Sequence, residues 1–392
     1  MKVLFFNYEY PPLGGGAAHA TENILKEYVK YSDLEVDLIT SSFDSEYHLD
    51  NLSENIHVHR LPIGKNKENA MYQSQKQLIV YSWKAFFFAR KLIKKAKREK
   101  TPYDLTHSFF TVPCGFISML LRFEFGLPYV VSLRGSDVPY YSERFMRIYF
   151  ILKWPIVFIW KMAAAVIANS LVIKKLALKS NQRQEIGVIY NGVYTDVFKP
   201  EESPVPHENF TILCASRLSR RKGFNYAIDA FAKIYKKYPN LRLTIAGGEG
   251  NAEGELRQQV KDFGIEDKVS FTGLVDPNTE YVHHHQASDV FVLPSDNEGM
   301  SNNMLEAMAS GMPIIMTPTG GADELIVEGA NGYIVKFKDG NDIAEKLEKL
   351  INNPELTKSM GMESRKIAEK MSWKSVAEQY FAVYEQVSKN KK

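Results

Sequence analysis

The sequence encodes an α/β protein built from two doubly wound domains in tandem. Short apolar runs alternate with helical stretches in both halves, the signature of parallel sheets wrapped by crossover helices. A proline-rich stretch breaks the pattern once, after which it restarts. At about 150 residues per domain, 392 residues make two or three domains, and 45% apolar content suffices for substantial cores.

In the first half, Val3 to Phe6, Val36 to Thr40, Val58 to Leu61, Leu105 to Phe109, Tyr129 to Leu133, Ala165 to Ala168 and Val188 to Tyr190 read as strands, with helices between. Asn191-Gly192-Val193 leads into Tyr194 to Asn209, where Pro200, Pro204 and Pro206 discourage regular structure, and the linker is placed there. Strands resume at Thr211 to Ala215, Leu241 to Ala246, Val269 to Thr272, Val290 to Leu293, Pro313 to Met316 and Tyr333 to Val335. Beyond them Val376, Tyr380, Val383 and Val387 recur at helical spacing. The expected organisation is an N-terminal domain over 1–196, a C-terminal domain over 197–372, and a last helix over 373–392 that packs back on the first domain.

A formal charge of +3 is small for this length and calls for no nucleic-acid partner. Cys114 and Cys214 lie far apart and outside any metal-binding spacing, which fits a reducing cytoplasm. The apolar run after Met1 is too short for a signal peptide. The most apolar region, Phe145 to Ala168, is interrupted by Arg147, Lys153, Pro155 and Lys161 and lacks the roughly 20 apolar residues of a membrane span.

Open α/β sheets bind ligands at the carboxyl ends of their strands, so chemistry is expected in a cleft lined by both sets of loops. Gly14-Gly15-Gly16 follows the first strand and precedes a helix, where bare backbone can approach a phosphate or sugar. His19 stands where a dinucleotide fingerprint needs glycine, and a plain flexible turn is the competing reading. Arg217 and Lys222 follow the first strand of the second half and can neutralise a diphosphate; alone, they read as readily as surface charge. Gly247 and Gly273-Leu274 close two strands as a slot for a nucleobase would, or as left-handed turns. In the run Ser295 to Gly311 a strand delivers Glu298, the amides of Gly299, Met300, Ser301 and Asn302 open a helix, and Glu306 follows. That supplies a carboxylate for sugar hydroxyls, a phosphate-attracting helix start and a second carboxylate for ribose, against the alternative of two unrelated acids.

With their order and spacing, these motifs resemble the retaining glycosyltransferases of family 4, which have the GT-B fold of two Rossmann-like domains facing a central cleft. The resemblance runs from Gly14 through Asn191-Gly192-Val193, Arg217 and Lys222 to Glu298, Glu306 and Gly320-Gly321-Ala322-Asp323-Glu324. It implies a nucleotide-sugar donor, UDP-linked by preference, with Arg217 and Lys222 on the diphosphate, Glu298 on the transferred hexose or N-acetylhexosamine and Glu306 on ribose. Gly15 and Gly16 would close over the donor. No metal or cofactor is implied, the two cations taking the metal's place. Similar enzymes let the acceptor attack on the face the diphosphate leaves, so Glu298 would position and stabilise rather than act as a base.

Where many members read His-Gly-x-Asp, this chain reads Arg134-Gly135-Ser136-Asp137, so a fixed cation replaces a neutral imidazole. Met300-Ser301-Asn302 replaces the common Phe-Gly-Leu and borders the sugar pocket the family implies. His107, read as ending a strand, has both a substrate-contact and a structural reading, and Asp137 and Asn191 join it as candidate contacts. The run His283 to His285 gives no metal site, because adjacent helical residues diverge.

Between Trp83 and Lys100 aromatic residues adjoin Arg90, Lys91, Lys94, Lys95, Lys97 and Arg98. Such a helix suits an anionic membrane at about 1 kcal/mol per basic residue, or packs its aromatics on the sheet. With the apolar, basic segment from Arg144 to Lys161, it points to a peripheral enzyme on the inner face of the cytoplasmic membrane, acting on a lipid-linked or surface-polysaccharide glycan. A nucleotide-sugar epimerase and a binding subunit without turnover are the alternatives. A nicotinamide oxidoreductase is disfavoured by the missing fingerprint.

Overall fold

The computed structural model describes residues 1–65, 73–141, 146–201, 208–248, 250–276 and 279–389, with backbone alone for 146–151. Two compact units result: Met1–Asn191 with the final helix form one, and Gly192–Ser372 the other. The chain leaves the first unit at Asn191, ahead of the proline-rich stretch. Val193 is already tied to the second unit, its N–H donating to the Met371 carbonyl. Pro204 and Pro206 lie outside the described residues.

The first unit contains, in chain order, β1 (Lys2–Phe6), α1 (Gly16–Tyr28), β2 (Glu35–Ser41), β3 (His48–Asn51), β4 (Ile56–Leu61), α2 (Gln75–Arg98), β5 (Leu105–Phe109), α3 (Phe116–Phe125), β6 (Tyr129–Leu133), α4 (Met146–Met162), β7 (Ala165–Ala168), α5 (Leu171–Leu178) and β8 (Gly187–Val188). Its sheet order is β3-β4-β2-β1-β5-β6-β7-β8, parallel except for β3. Val3, Leu4, Phe5 and Phe6 are all fully buried, as expected of a central strand covered by helices on both faces. β3 is absent from the sequence reading because His-Leu-Asp-Asn offers no apolar run; it survives as an antiparallel edge hairpin on β4.

The second unit holds β9 (Phe210–Ala215), α6 (Phe224–Ile234), β10 (Leu241–Ala246), α7 (Glu253–Asp262), β11 (Val269–Gly273), α8 (Glu280–Gln286), β12 (Val290–Leu293), α9 (Asn302–Ala309), β13 (Ile314–Met316), α10 (Ala322–Leu325), β14 (Gly332–Ile334), α11 (Gly340–Ile351) and α12 (Pro354–Ala368). Its sheet is wholly parallel in the order β11-β10-β9-β12-β13-β14. The final helix, α13 (Trp373–Lys389), buries Val376, Ala377, Tyr380, Tyr384 and Val387 in the first unit. There Tyr28 of α1 donates to the Ala377 carbonyl at 3.3 Å.

Candidate active site

In the second unit the chain runs outward from β9 through β10 to β11, then returns past β9 to begin β12 on the other side. The switch point therefore lies between β9 and β12, and the loops leaving their carboxyl ends bound it. These are the loops that carry Lys222 and Glu298.

After β9, a short 3-10 turn, Arg220–Lys222, sets up Lys222, and Gly223 follows at φ +69°. A Cβ at Gly223 would lie 2.1 Å from the Pro294 carbonyl oxygen, so glycine is what lets the two loops touch. The Asp296 N–H donates to the Arg221 carbonyl at 2.9 Å and fastens them. Lys222 Nζ then meets Glu298 Oε1 at 2.5 Å, and the Ser295 hydroxyl donates to the same oxygen at 2.9 Å. Both side chains are about nine-tenths buried, at 9% and 11% exposure. Burial opposes ionisation of Glu298, but the Lys222 charge and hydrogen bond, with Arg221 and Ser295, outweigh it and hold the carboxyl below its ordinary value.

Glu298 is backed by the loop after β13. A Cβ on Gly320 would fall 2.5 Å from that of Glu298, and one on Gly321 would fall 2.7 Å from Met300 Cε. Ser301 N–H donates to the Gly320 carbonyl at 3.1 Å. Met300 is thus packed rather than presented, and the Ser301 side chain is spent as the cap of α9, accepting from the Met304 N–H. The sequence expectation for this stretch concerns its amides: the Ser301 N–H is taken by the Gly320 carbonyl, and those of Gly299, Met300 and Asn302 lie where the chain enters the helix. Glu306 follows on α9, half-buried, and accepts from the Tyr281 hydroxyl at 3.1 Å. Asn303 donates to that hydroxyl at 2.6 Å, completing a chain that orients the Glu306 carboxylate. Sequence reasoning singled out neither Ser295, Tyr281 nor Asn303. Ser295 lies three residues before Glu298, whereas Tyr281 arrives from a separate helix.

Arg217, half-buried, occupies the same loop as Lys222. Beside it Gly247, at φ +154°, has its Cβ position 2.0 Å from the Ser216 carbonyl, and only bare backbone allows that approach. The Gly247 N–H donates to the Gly273 carbonyl at 3.3 Å. Leu274 lies against Gly248 yet is 81% exposed, a solvent-facing apolar ledge on the same edge of the sheet. Of the α8 histidines, His285 is buried and bonded to the Tyr281 carbonyl. No group of three or more potential metal ligands occurs among the described residues.

Candidates in the first unit are engaged internally. His107 is the middle residue of β5, not its end, and is fully buried. Its Nδ1 bonds the Tyr384 hydroxyl at 2.7 Å and its Nε2 the Ser132 hydroxyl at 2.8 Å, which corrects the substrate-contact reading. Asp137 accepts from the N–H groups of Arg134 and Gly135 and from both N–H and hydroxyl of Thr111, so it clamps its own loop and is likewise corrected. Arg134 places its guanidinium 4.2 Å over the Phe109 ring and donates to Asn191 Oδ1 at 2.8 Å. Gly14, at φ +91°, cradles the Glu9 side chain, and Gly15, the cap of α1, donates its N–H towards the Glu9 carboxylate at 3.5 Å; Gly16 opens the helix. The glycine loop therefore has a packing reason that requires no ligand.

Two doubly wound units, one with a cation–carboxylate pair at its switch point, have the architecture of a GT-B glycosyltransferase. The model of Glycosyltransferase Family 4 matches residues 14–197, and that of Glycosyl transferases group 1 matches residues 197–367. The chain belongs to this glycosyltransferase family. An uncharacterized glycosyltransferase of Methanocaldococcus jannaschii is 27% identical over 99% of both chains. The N-acetyl-alpha-D-glucosaminyl L-malate synthase of Bacillus anthracis is 24% identical over 98% of this chain and 97% of its own. The fold is shared with sucrose-phosphate synthase from Thermosynechococcus elongatus (TM-score 0.81, 22% identity, 99% of each chain). HepE of Anabaena in complex with UDP-glucose also shares it (TM-score 0.74, 22% identity, 99% and 100% of the chains).

Proposed function

We propose that the protein is a retaining glycosyltransferase that moves a hexose or N-acetylhexosamine from a UDP-sugar to a lipid-linked or surface-polysaccharide acceptor without a metal. The buried Lys222–Glu298 pair at the switch point carries the reading. Before donor binds, each side chain offsets the other's charge. A diphosphate arriving beside Lys222 and Arg217 takes up the cationic charge, and Glu298 becomes an acceptor for sugar hydroxyls. As the glycosidic bond breaks, negative charge builds on the leaving phosphate, where Lys222 stabilises it in surroundings that exclude water. The acceptor hydroxyl then attacks on the same face, passing its proton to the leaving oxygen. Glu306, held by Tyr281, takes the ribose hydroxyls, and Leu274 provides apolar surface for the base.

UDP is preferred from the family resemblance and is the nucleotide named with HepE; a Mycobacterium tuberculosis relative, 31% identical over 47% of this chain, is by name GDP-mannose-dependent. The test is a panel of nucleotide sugars scored for nucleotide release with and without lipid acceptor, comparing the parent with Glu298→Ala. One donor, turned over without added metal and lost in the variant by about a hundredfold or more, is expected. Conversion of the donor to another nucleotide sugar without any acceptor would identify an epimerase instead, and inversion of the product anomer would remove the same-face mechanism.

A further inference from the structure

One face of the first unit carries aromatic side chains that no core accounts for. Helix α2 turns Tyr81, Ala85, Ala89 and Ala96 inward. On its opposite stripe Ile79, Trp83 and Phe87 follow one another at four-residue spacing and face solvent, Trp83 at 68% exposure. Helix α3 packs beside α2, where Arg90 meets Glu124 at 2.7 Å, and beside α4, where Arg122 donates to the Met162 carbonyl. It exposes Phe116 and Phe123, while α4 exposes Phe158 and Trp154, the latter at 74%. The three adjacent helices thus each present outward aromatics. Further along, the outward stripe of α2 becomes cationic, with Lys91, Lys94, Lys97 and Arg98 all exposed. Arg90 joins the two regions, its guanidinium 5.6 Å from the ring centres of both Phe86 and Phe87.

We propose that this three-helix face docks on an anionic lipid bilayer. The aromatic half enters the boundary between headgroups and acyl chains, and the basic half of α2 lies among the headgroups. Charge complementarity selects this occupant: a second copy facing the first would set cation against cation, whereas an anionic leaflet neutralises all four. No helix among the described residues is long and apolar enough to cross a membrane, so the attachment is peripheral. The proposal gives the lipid-linked acceptor reading a defined landing surface. Its test measures binding alone, so it stands or falls separately from the transfer reaction.

The full chain is sedimented with vesicles of phosphatidylcholine, with and without phosphatidylglycerol, at low and high salt. The parent is expected to sediment with the anionic vesicles at low salt only. Trp83→Ala with Trp154→Ala, and separately Lys91→Glu with Lys94→Glu, should each lower partitioning by about tenfold or more, with thermal melts unchanged. Because Trp160 and Trp373 are buried at 0% and 3% exposure, a blue shift of tryptophan emission on vesicle binding reports Trp83 and Trp154. A parent that stays in the supernatant, or variants that sediment as the parent does, overturns the proposal. So does a lipid-free dimer that the double tryptophan variant dissolves, since that outcome assigns the face to a second copy.

Discussion

Lys222 and Glu298 compensate each other, and that fixes how the pair fails. Removing one leaves the other charged, buried and without its partner, which costs about 3–5 kcal/mol. Lys222→Met and Glu298→Gln should each lower the urea midpoint strongly, while the double substitution should regain much of the loss; additive effects would show that the pair is not coupled. The Glu298 carboxyl is depressed in the folded state. Its contribution is therefore present above the ordinary glutamate value of about 4.3 and is lost only as pH falls through the lower folded value. The two residues were legible because a cation and an acid after parallel strands fall at a predictable place. His107 and Asp137 were not, because what satisfies them is remote: Tyr384 lies 277 positions from His107, and Thr111 lies 26 from Asp137.

At the scale of the element, the departure at Ser301 acquires a structural reason. Its hydroxyl satisfies the N–H of Met304 at the buried start of an eight-residue helix that also carries Glu306. Ser301→Ala should destabilise the second unit by about 1 kcal/mol, and Ser301→Gly by only a few tenths, both read by chemical denaturation. Equal losses would mean that the hydroxyl, rather than cap geometry, matters. Strands on fully buried sheets were readable to within a residue or two, since both faces demand apolar side chains. The edge strand β3 was not, because half its residues face solvent and its pairing depends on β4.

At the scale of the whole molecule, two histidines among the described residues, buried and held neutral, set an acid limit on stability. Burial lowers the His107 value far below the ordinary imidazole range and lowers that of His285 to about 4. Below about pH 6.5 the unfolded chain takes up protons that the folded chain refuses, so stability falls by about 1.4 kcal/mol per pH unit for each group. His285→Gln should flatten the pH dependence of second-unit unfolding between about pH 6.5 and 4; an unchanged slope would exclude His285 as its source. The tandem doubly wound plan was legible from strand periodicity alone.

The first unit is discontinuous, and this orders its birth. Emerging from the ribosome amino end first, residues 1–191 still lack the wall that Tyr380 and Tyr384 supply, and the imidazole of His107 waits beside water rather than a phenol. The intervening 181 residues can complete their own sheet during that wait. The half made first is therefore the half finished last.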